Sequence, residues 1–209
     1  MKRSLAVAVV AVLALFVSVS VIAQAPKGWM VRADRSTSAS DPDAAGAIKF
    51  VTMGTGFHAT NPQAAVYWNP ANNMSGNYTL KGTFTLVKPS GHTNYYGLVF
   101  GGSDLDGAKQ AYTYFLVAQD GSWLVKKRDG DVASDVLPKK ANEAVKKPGA
   151  DGKSTNALEV RVGADKIDYV VNGTVVGSSP KSAAKTDGIY GIRVNHVLEV
   201  HIDALSAGK

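Results

Sequence analysis

From about residue 48 onward the chain alternates apolar and polar side chains in short runs separated by Gly, Asn, Asp and Pro. In Tyr78 to Val87, Tyr78, Leu80, Phe84 and Leu86 fall on one side, and Thr79, Lys81, Thr83 and Thr85 on the other. That two-residue period is the mark of a half-buried β-strand. Similar runs predict strands at 48–52, 56–60, 64–68, 95–100, 112–118, 122–127, 158–162, 166–171, 174–177, 189–194 and 197–204. In Tyr169 to Val176, two β-branched runs flank Asn172-Gly173, a pair suited to the positive φ angles of a type I′ hairpin. Asp120-Gly121 supplies a second hairpin signal before Ser122. Asn69-Pro70-Ala71-Asn72 reads as a turn, and 137–156, polar and broken by Pro138 and Pro148, reads as a connection.

Many short strands with tight turns and no sustained helical period predict an all-β fold, an antiparallel two-sheet sandwich. Two facing sheets bury alternate residues of every strand in a core roughly 10 Å thick. The core domain is expected over residues 47–209, preceded by a loose Ala/Ser/Asp-rich lead-in at 26–46 that carries Pro26 and Pro42.

The N-terminus breaks this pattern. Lys2 and Arg3 precede an apolar run from Leu5 to Val17, and small residues stand at Ala23 and Ala25, the three parts of a secretory signal peptide over residues 1–25. The alternative is an uncleaved anchor, since Leu5 to Ile22 spans 18 residues. Ser18 and Ser20 weaken the end of that run, and the small-residue site favours cleavage after Ala25. The chain is therefore expected in the periplasm or medium of a bacterium, with no membrane attachment after cleavage.

Without residues 1–25 the chain retains 21 Lys+Arg against 17 Asp+Glu, a net charge of +4. The basic residues are dispersed, with small groups at Lys126-Lys127-Arg128, Lys139-Lys140 and Lys146-Lys147, and form no stripe of the kind that binds nucleic acid. The sequence contains no cysteine, so neither disulfides nor thiolate metal sites can form.

The order of Tyr96-Gly97-Leu98-Val99-Phe100-Gly101-Gly102, Tyr112-Thr113-Tyr114-Phe115-Leu116-Val117, Asp120-Gly121-Ser122-Trp123, Asn156 to Arg161, Val171 to Val176 and Gly188 to Arg193 resembles the concanavalin A-like lectin/glucanase jelly roll. Within that superfamily it is similar to bacterial secreted domains labelled 3-keto-disaccharide hydrolase-like, over about residues 50–206. The resemblance implies two curved sheets whose concave face receives a glycan. Glucanases of the superfamily carry E-x-D-x-E on one strand; no such motif occurs here, which argues against that activity.

Candidate chemistry follows from residue type. A sugar stacks its C–H face on an aromatic ring while its hydroxyls bond to polar side chains. Trp68, Tyr95, Tyr112, Tyr114, Trp123 and Arg128 are the candidate ligand-binding residues, with His58, Asn94, Arg193 and Asn195 as further polar partners. The competing role for every ring is core packing. Tyr112, Tyr114 and Leu116 share one face of their strand, opposite Phe115 and Val117.

Glycoside hydrolysis needs two carboxyl groups across the scissile bond. Glu199, His201 and Asp203 share a strand face and, with Glu159 or the Asp104/Asp106 loop, form the enzymatic alternative, a hydrolase or lyase. The polar outer face of a strand explains the same pattern. Asp104 and Asp106 in a Gly-rich loop could contribute to a calcium site, but the loop lacks the distal glutamate of an EF-hand, and no cofactor is expected. The leading expectation is a non-catalytic carbohydrate-binding domain; an adhesive or structural envelope protein is the third reading.

Overall fold

The structure, a computed structural model, describes residues 25–36 and 38–209. The signal-peptide expectation falls, apart from Ala25, outside the described residues. The described residues form fourteen strands in order: β1 Met30–Asp34, β2 Lys49–Met53, β3 Gly56–Asn61, β4 Ala64–Met74, β5 Tyr78–Lys88, β6 Tyr95–Ser103, β7 Ala111–Ala118, β8 Ser122–Asp129, β9 Val132–Ala141, β10 Ser154–Val162, β11 Lys166–Val171, β12 Thr174–Pro180, β13 Gly188–Val194 and β14 Leu198–Gly208. They form two seven-stranded sheets, ordered β1-β4-β13-β6-β7-β8-β9 and β12-β11-β10-β5-β14-β3-β2. The strand pairs are antiparallel, as the expected sandwich requires.

The alternation seen in the sequence decides which side of each strand meets the core. From the first sheet Tyr67, Tyr96, Leu98, Phe100, Phe115, Trp123 and Val125 point inward; from the second, Phe50, Leu80, Phe84, Leu86, Val160, Tyr169, Val200 and Ile202 face them. Each of these is at most 1% exposed, and fully burying a large apolar side chain stabilises the fold by about 1.5–3 kcal/mol. Asn172 and Gly173 take φ of 50° and 85°, the angles expected for the β11–β12 hairpin.

Three elements differ from the sequence reading. The segment read as a loose lead-in carries β1, paired with β4 from Met30↔Trp68 to Asp34↔Ala64. Its Trp29, Val31 and Ala33 pack against the core, an alternation that the surrounding Ser, Asp and Pro residues obscure. Strand β4 continues through the supposed turn at Asn69 to Asn72 as far as Met74. Pro70 lies past the last β1 pairing, Met30↔Trp68, and within an irregular stretch of the β13 pairing, where a missing N–H is tolerated. Leu137 to Ala141 belongs to β9, the sheet edge, where Pro138 is likewise accommodated beside a register shift.

The 142–147 loop is bound to the sandwich edge by two asparagines. Asn156 Oδ1 accepts from Lys146 N at 2.8 Å, and Asn172 Nδ2 donates to Ala144 O at 2.7 Å.

Candidate functional site

The face of the first sheet that points away from the core is not an ordinary solvated surface. Val66 and Trp68 on β4, Val99 on β6, Tyr112, Tyr114 and Leu116 on β7, and Leu124 on β8 form a second apolar cluster there, joined by Leu105 from the β6–β7 connection. Val99, Tyr112 and Leu116 are at most 1% exposed although they lie on the outward side. Burial of an outward face requires walls that rise above it. Leu105 and its loop form one wall, anchored by Arg32 Nη1, which donates to Gly107 O at 2.6 Å. The 38–43 segment forms another, where Asp41 and Asp43 lie 2.9 and 3.2 Å from His196 of the β13–β14 turn.

A charged network runs across this trough from β1 to β8. Asp34 Oδ2 accepts from Arg193 Nη1, and it lies 3.6 Å from Arg128 Nη1; Asp34 Oδ1 is 3.9 Å from Arg32 Nε. The Tyr112 hydroxyl accepts from Arg193 Nη1 at 3.0 Å and donates to Asp34 at 3.4 Å. The register brings these groups together: Arg193 stands opposite Val66 on β4, Arg32 opposite the same Val66 on its other side, and Arg128 opposite Tyr112. Residues far apart in the chain thus share one face by sheet pairing alone.

The electrostatics follow from burial and neighbours. Burial alone would raise the Asp34 carboxyl, yet Arg193, Arg128 and Arg32 together hold it below the usual carboxylate range. Burial opposes the Arg193 charge, but Tyr112, Asp34 and Tyr114 keep its guanidinium above its ordinary value. Burial pushes the Tyr112 hydroxyl up to about 12. The Arg193 guanidinium also lies 5.4 Å from the centre of the Tyr114 ring, within cation–π range.

Beside Arg193 the trough opens into a cavity of about 270 Å³, just under the roughly 300–1,000 Å³ of drug-sized ligand pockets. Tyr114, Leu116 and Leu124 line it from the sheet, and Tyr95, Asn94, Lys126, Arg193, Asn195 and Asp41 complete its lining. Arg193 Nε donates to Asn195 Oδ1 at 3.3 Å, and the Tyr95 hydroxyl lies 3.1 Å from Ser122 Oγ. The site therefore combines ring faces, amides and cations in one sunken place.

Of the residues singled out in the sequence, Tyr95 and Tyr114 line this cavity, while Tyr112 and Arg128 belong to the network beside it. Trp68 lies in the same outward cluster but is 2% exposed. Trp123 is not on this face: it points into the core, 1% exposed, edge-on to Phe115 and against Gly177, because its parity on β8 is that of Val125. Arg193, Asn94 and Asn195 join the cavity, whereas His58 sits on the opposite sheet.

The acidic candidates occupy other places. Glu199 and His201 lie on the outer face of the second sheet, on the far side of the sandwich, with His58 2.9 Å from Glu199 and His201 3.2 Å from Asp203. Glu159 pairs with Arg161 at 2.8 Å. Asp104 Oδ2 accepts from Lys109 N at 2.9 Å, so it closes its own loop. Among the described residues no group of three or more His, Asp and Glu is arranged to hold a metal ion.

Asp34, Asp41 and Lys126 were not singled out in the sequence as site residues. Asp34 could have been found through the Trp29, Val31, Ala33 alternation, which puts Arg32 and Asp34 together on the other face. Nothing local marks Asp41.

The described chain can be compared with solved structures. The carbohydrate-binding module CBM66 from Bacillus subtilis superposes with a TM-score of 0.62 at 12% identity, over 87% of this chain and 96% of that one. The chain has a galectin-like, concanavalin A-like jelly-roll fold. A Bacillus subtilis protein of unknown function with a galectin-like fold follows at a TM-score of 0.55 and 10% identity, over 87% and 89% of the two chains. Sheep galectin-11 in complex with glycerol matches at a TM-score of 0.50 and 13% identity, over 75% of this chain and all of the galectin. No family model matches the sequence, and no curated protein matches it.

Proposed function

We propose that this jelly roll is an exported, non-catalytic carbohydrate-binding domain that holds a sugar in the cavity on the outward face of its first sheet. The observation that carries the reading is the cavity itself, where the Tyr95 and Tyr114 rings stand with Arg193, Asn94 and Asn195. A ring face takes the apolar C–H side of a sugar, and the amides and guanidinium take its hydroxyls. Support also comes from structures of the same fold that are described as a carbohydrate-binding module and a galectin. Fold alone assigns no activity, so the argument rests on the site. The non-catalytic half of the reading rests on the carboxylates. Glu199, Asp203 and Glu159 lie on the other sheet, Asp34 is held by Arg193, and among the described residues Asp41 is the single acid that lines the cavity, where glycoside hydrolysis needs two.

The test is calorimetric titration of a glycan panel, with chromatography of the same mixtures for released products. Binding without products is expected, with at least a tenfold loss in Tyr95→Ala and Tyr114→Ala variants that retain the native unfolding midpoint within a few degrees. Turnover that disappears on replacing Glu199 or Asp203, or binding indifferent to both tyrosine variants, would refute the proposal.

A further inference from the structure

His196 does not line the cavity, yet it sits against two residues that do. Its side chain is 8% exposed, with Nε2 2.9 Å from Asp41 Oδ1 and Nδ1 3.2 Å from Asp43 Oδ1. Asp41 lines the cavity, and so does Asn195, the residue that precedes His196. The turn that presents the ring is strained and tied down: Val197, a β-branched residue, takes a φ of 56°, and Asn195 N donates to Tyr95 O at 2.8 Å.

Both carboxylates depend on that ring. Asp41 Oδ1 and Asp43 Oδ1 are buried and have no hydrogen-bond partner among the described residues, so what offsets their burial is charge. The cations that line the cavity are committed elsewhere, Arg193 to Asp34 and Lys126 to Asp135. A neutral imidazole has one N–H and one lone pair, and with a carboxylate at each nitrogen that lone pair must face an anion. Only the imidazolium suits both. Asp43 Oδ2 accepts from Ser36 N at 2.9 Å, and Ser36 Oγ donates to Asp41 O at 2.7 Å, which ties the two acids into one short segment.

We infer that His196 is a positioning residue for the cavity: as an imidazolium it holds the Asp41 wall against the β13–β14 turn, and sugar affinity falls as rising pH removes that charge. This rests on the carbohydrate-binding reading and adds a control to it. Between pH 5 and 8 histidine is the side chain that changes charge. The wall is therefore held at the acid end of that range and loosened at the other. Of the other histidines, His58 and His201 lie on the second sheet, and His92 is exposed.

Amide hydrogen exchange of the sugar-free chain at about pH 5.5 and about pH 8 tests the wall by itself. It is read as protection factors at Ser36 and Ala44, whose N–H groups bond to Asp43 Oδ2 and Pro62 O. Protection should fall about threefold to tenfold at the higher pH in the wild-type chain, by less in Asp43→Asn, and stay level in His196→Gln. The tightest-binding glycan of the panel should lose affinity by a similar factor over the same range, and His92→Gln should leave that loss unchanged. Protection that is level across the range in the wild-type chain, or that falls equally in His196→Gln, would overturn the inference and leave carbohydrate binding standing. Affinity that stays level while the wall responds would overturn the link to the cavity. If the wall responds but no glycan of the panel binds, the carbohydrate-binding reading falls and the control of the wall by His196 stands. The wild-type profile decides the matter even where a variant does not fold.

Discussion

Replacing Asp34 by Asn removes the one carboxylate that three arginines share while keeping its shape and one acceptor oxygen. Asp34 is 9% exposed and Arg193 11%, whereas Arg128 and Arg32 are 20% and 24% exposed. Breaking a buried ion pair from one side costs about 3–5 kcal/mol. Solvent screens the outer two arginines and the amide oxygen still accepts from Arg193, which brings the expectation to about 2–4 kcal/mol at neutral pH. The pH dependence carries its own sign. The carboxyl is held below its unfolded value of about 3.9, so its contribution is complete above that pH and disappears as pH falls through the lower folded value. Urea unfolding followed by tryptophan fluorescence should therefore show the gap between wild type and Asp34→Asn at full width near pH 7, narrowing from about pH 4 downward. A gap under about 0.5 kcal/mol at pH 7, or one of constant width down to pH 2, would refute the idea that this carboxylate anchors the network.

Tyr112→Phe removes the hydroxyl that bridges Arg193 and Asp34, and should cost about 1–2 kcal/mol in the same assay. Because burial lifts this phenol to about 12, its contribution is present below the ordinary value of about 10 and is lost as pH rises through the folded value; the Phe variant should lack that component of alkaline destabilisation. Gly177→Ala would bring a Cβ to 2.4 Å from Trp123 Cη2 in a closed core, for an expected loss of about 1–3 kcal/mol and an altered near-ultraviolet tryptophan signal. An unchanged melting temperature would show that the indole yields freely. Asn172→Ala combines an unfavourable φ of 50° with loss of the bonds to Ala144 O and Ala157 N, and should cost about 2–4 kcal/mol and release the 142–147 loop to rapid hydrogen exchange.

The sandwich was legible because its determinants are local. A two-residue period fixes the face of every side chain on a strand, and Asn172-Gly173 fixes a turn, so the split of Tyr112 and Tyr114 from Phe115 and Val117 follows from the sequence alone. Strand limits were less legible at Pro70 and Pro138, since whether a proline interrupts a sheet depends on whether a neighbour needs its N–H, and at an edge or a bulge none does.

Which face of β7 looks into the core, and which into the trough, was a tertiary decision. Both faces carry aromatic residues, and parity separates them without naming them; so Trp123, equal to Tyr114 as a stacking candidate in the sequence, lies inside, while Tyr95 and Tyr114 border the cavity. The charged network is further from sequence still. Asp34 and Arg193 stand 159 residues apart, and only the pairing of β1 and β13 on either side of β4 makes them neighbours. Local pattern thus determined the fold class and the two faces of each strand, because those depend on chain geometry over a few residues. The site depends on strand order and on which loops rise beside the sheet, and those follow from long-range packing that no short stretch of sequence encodes.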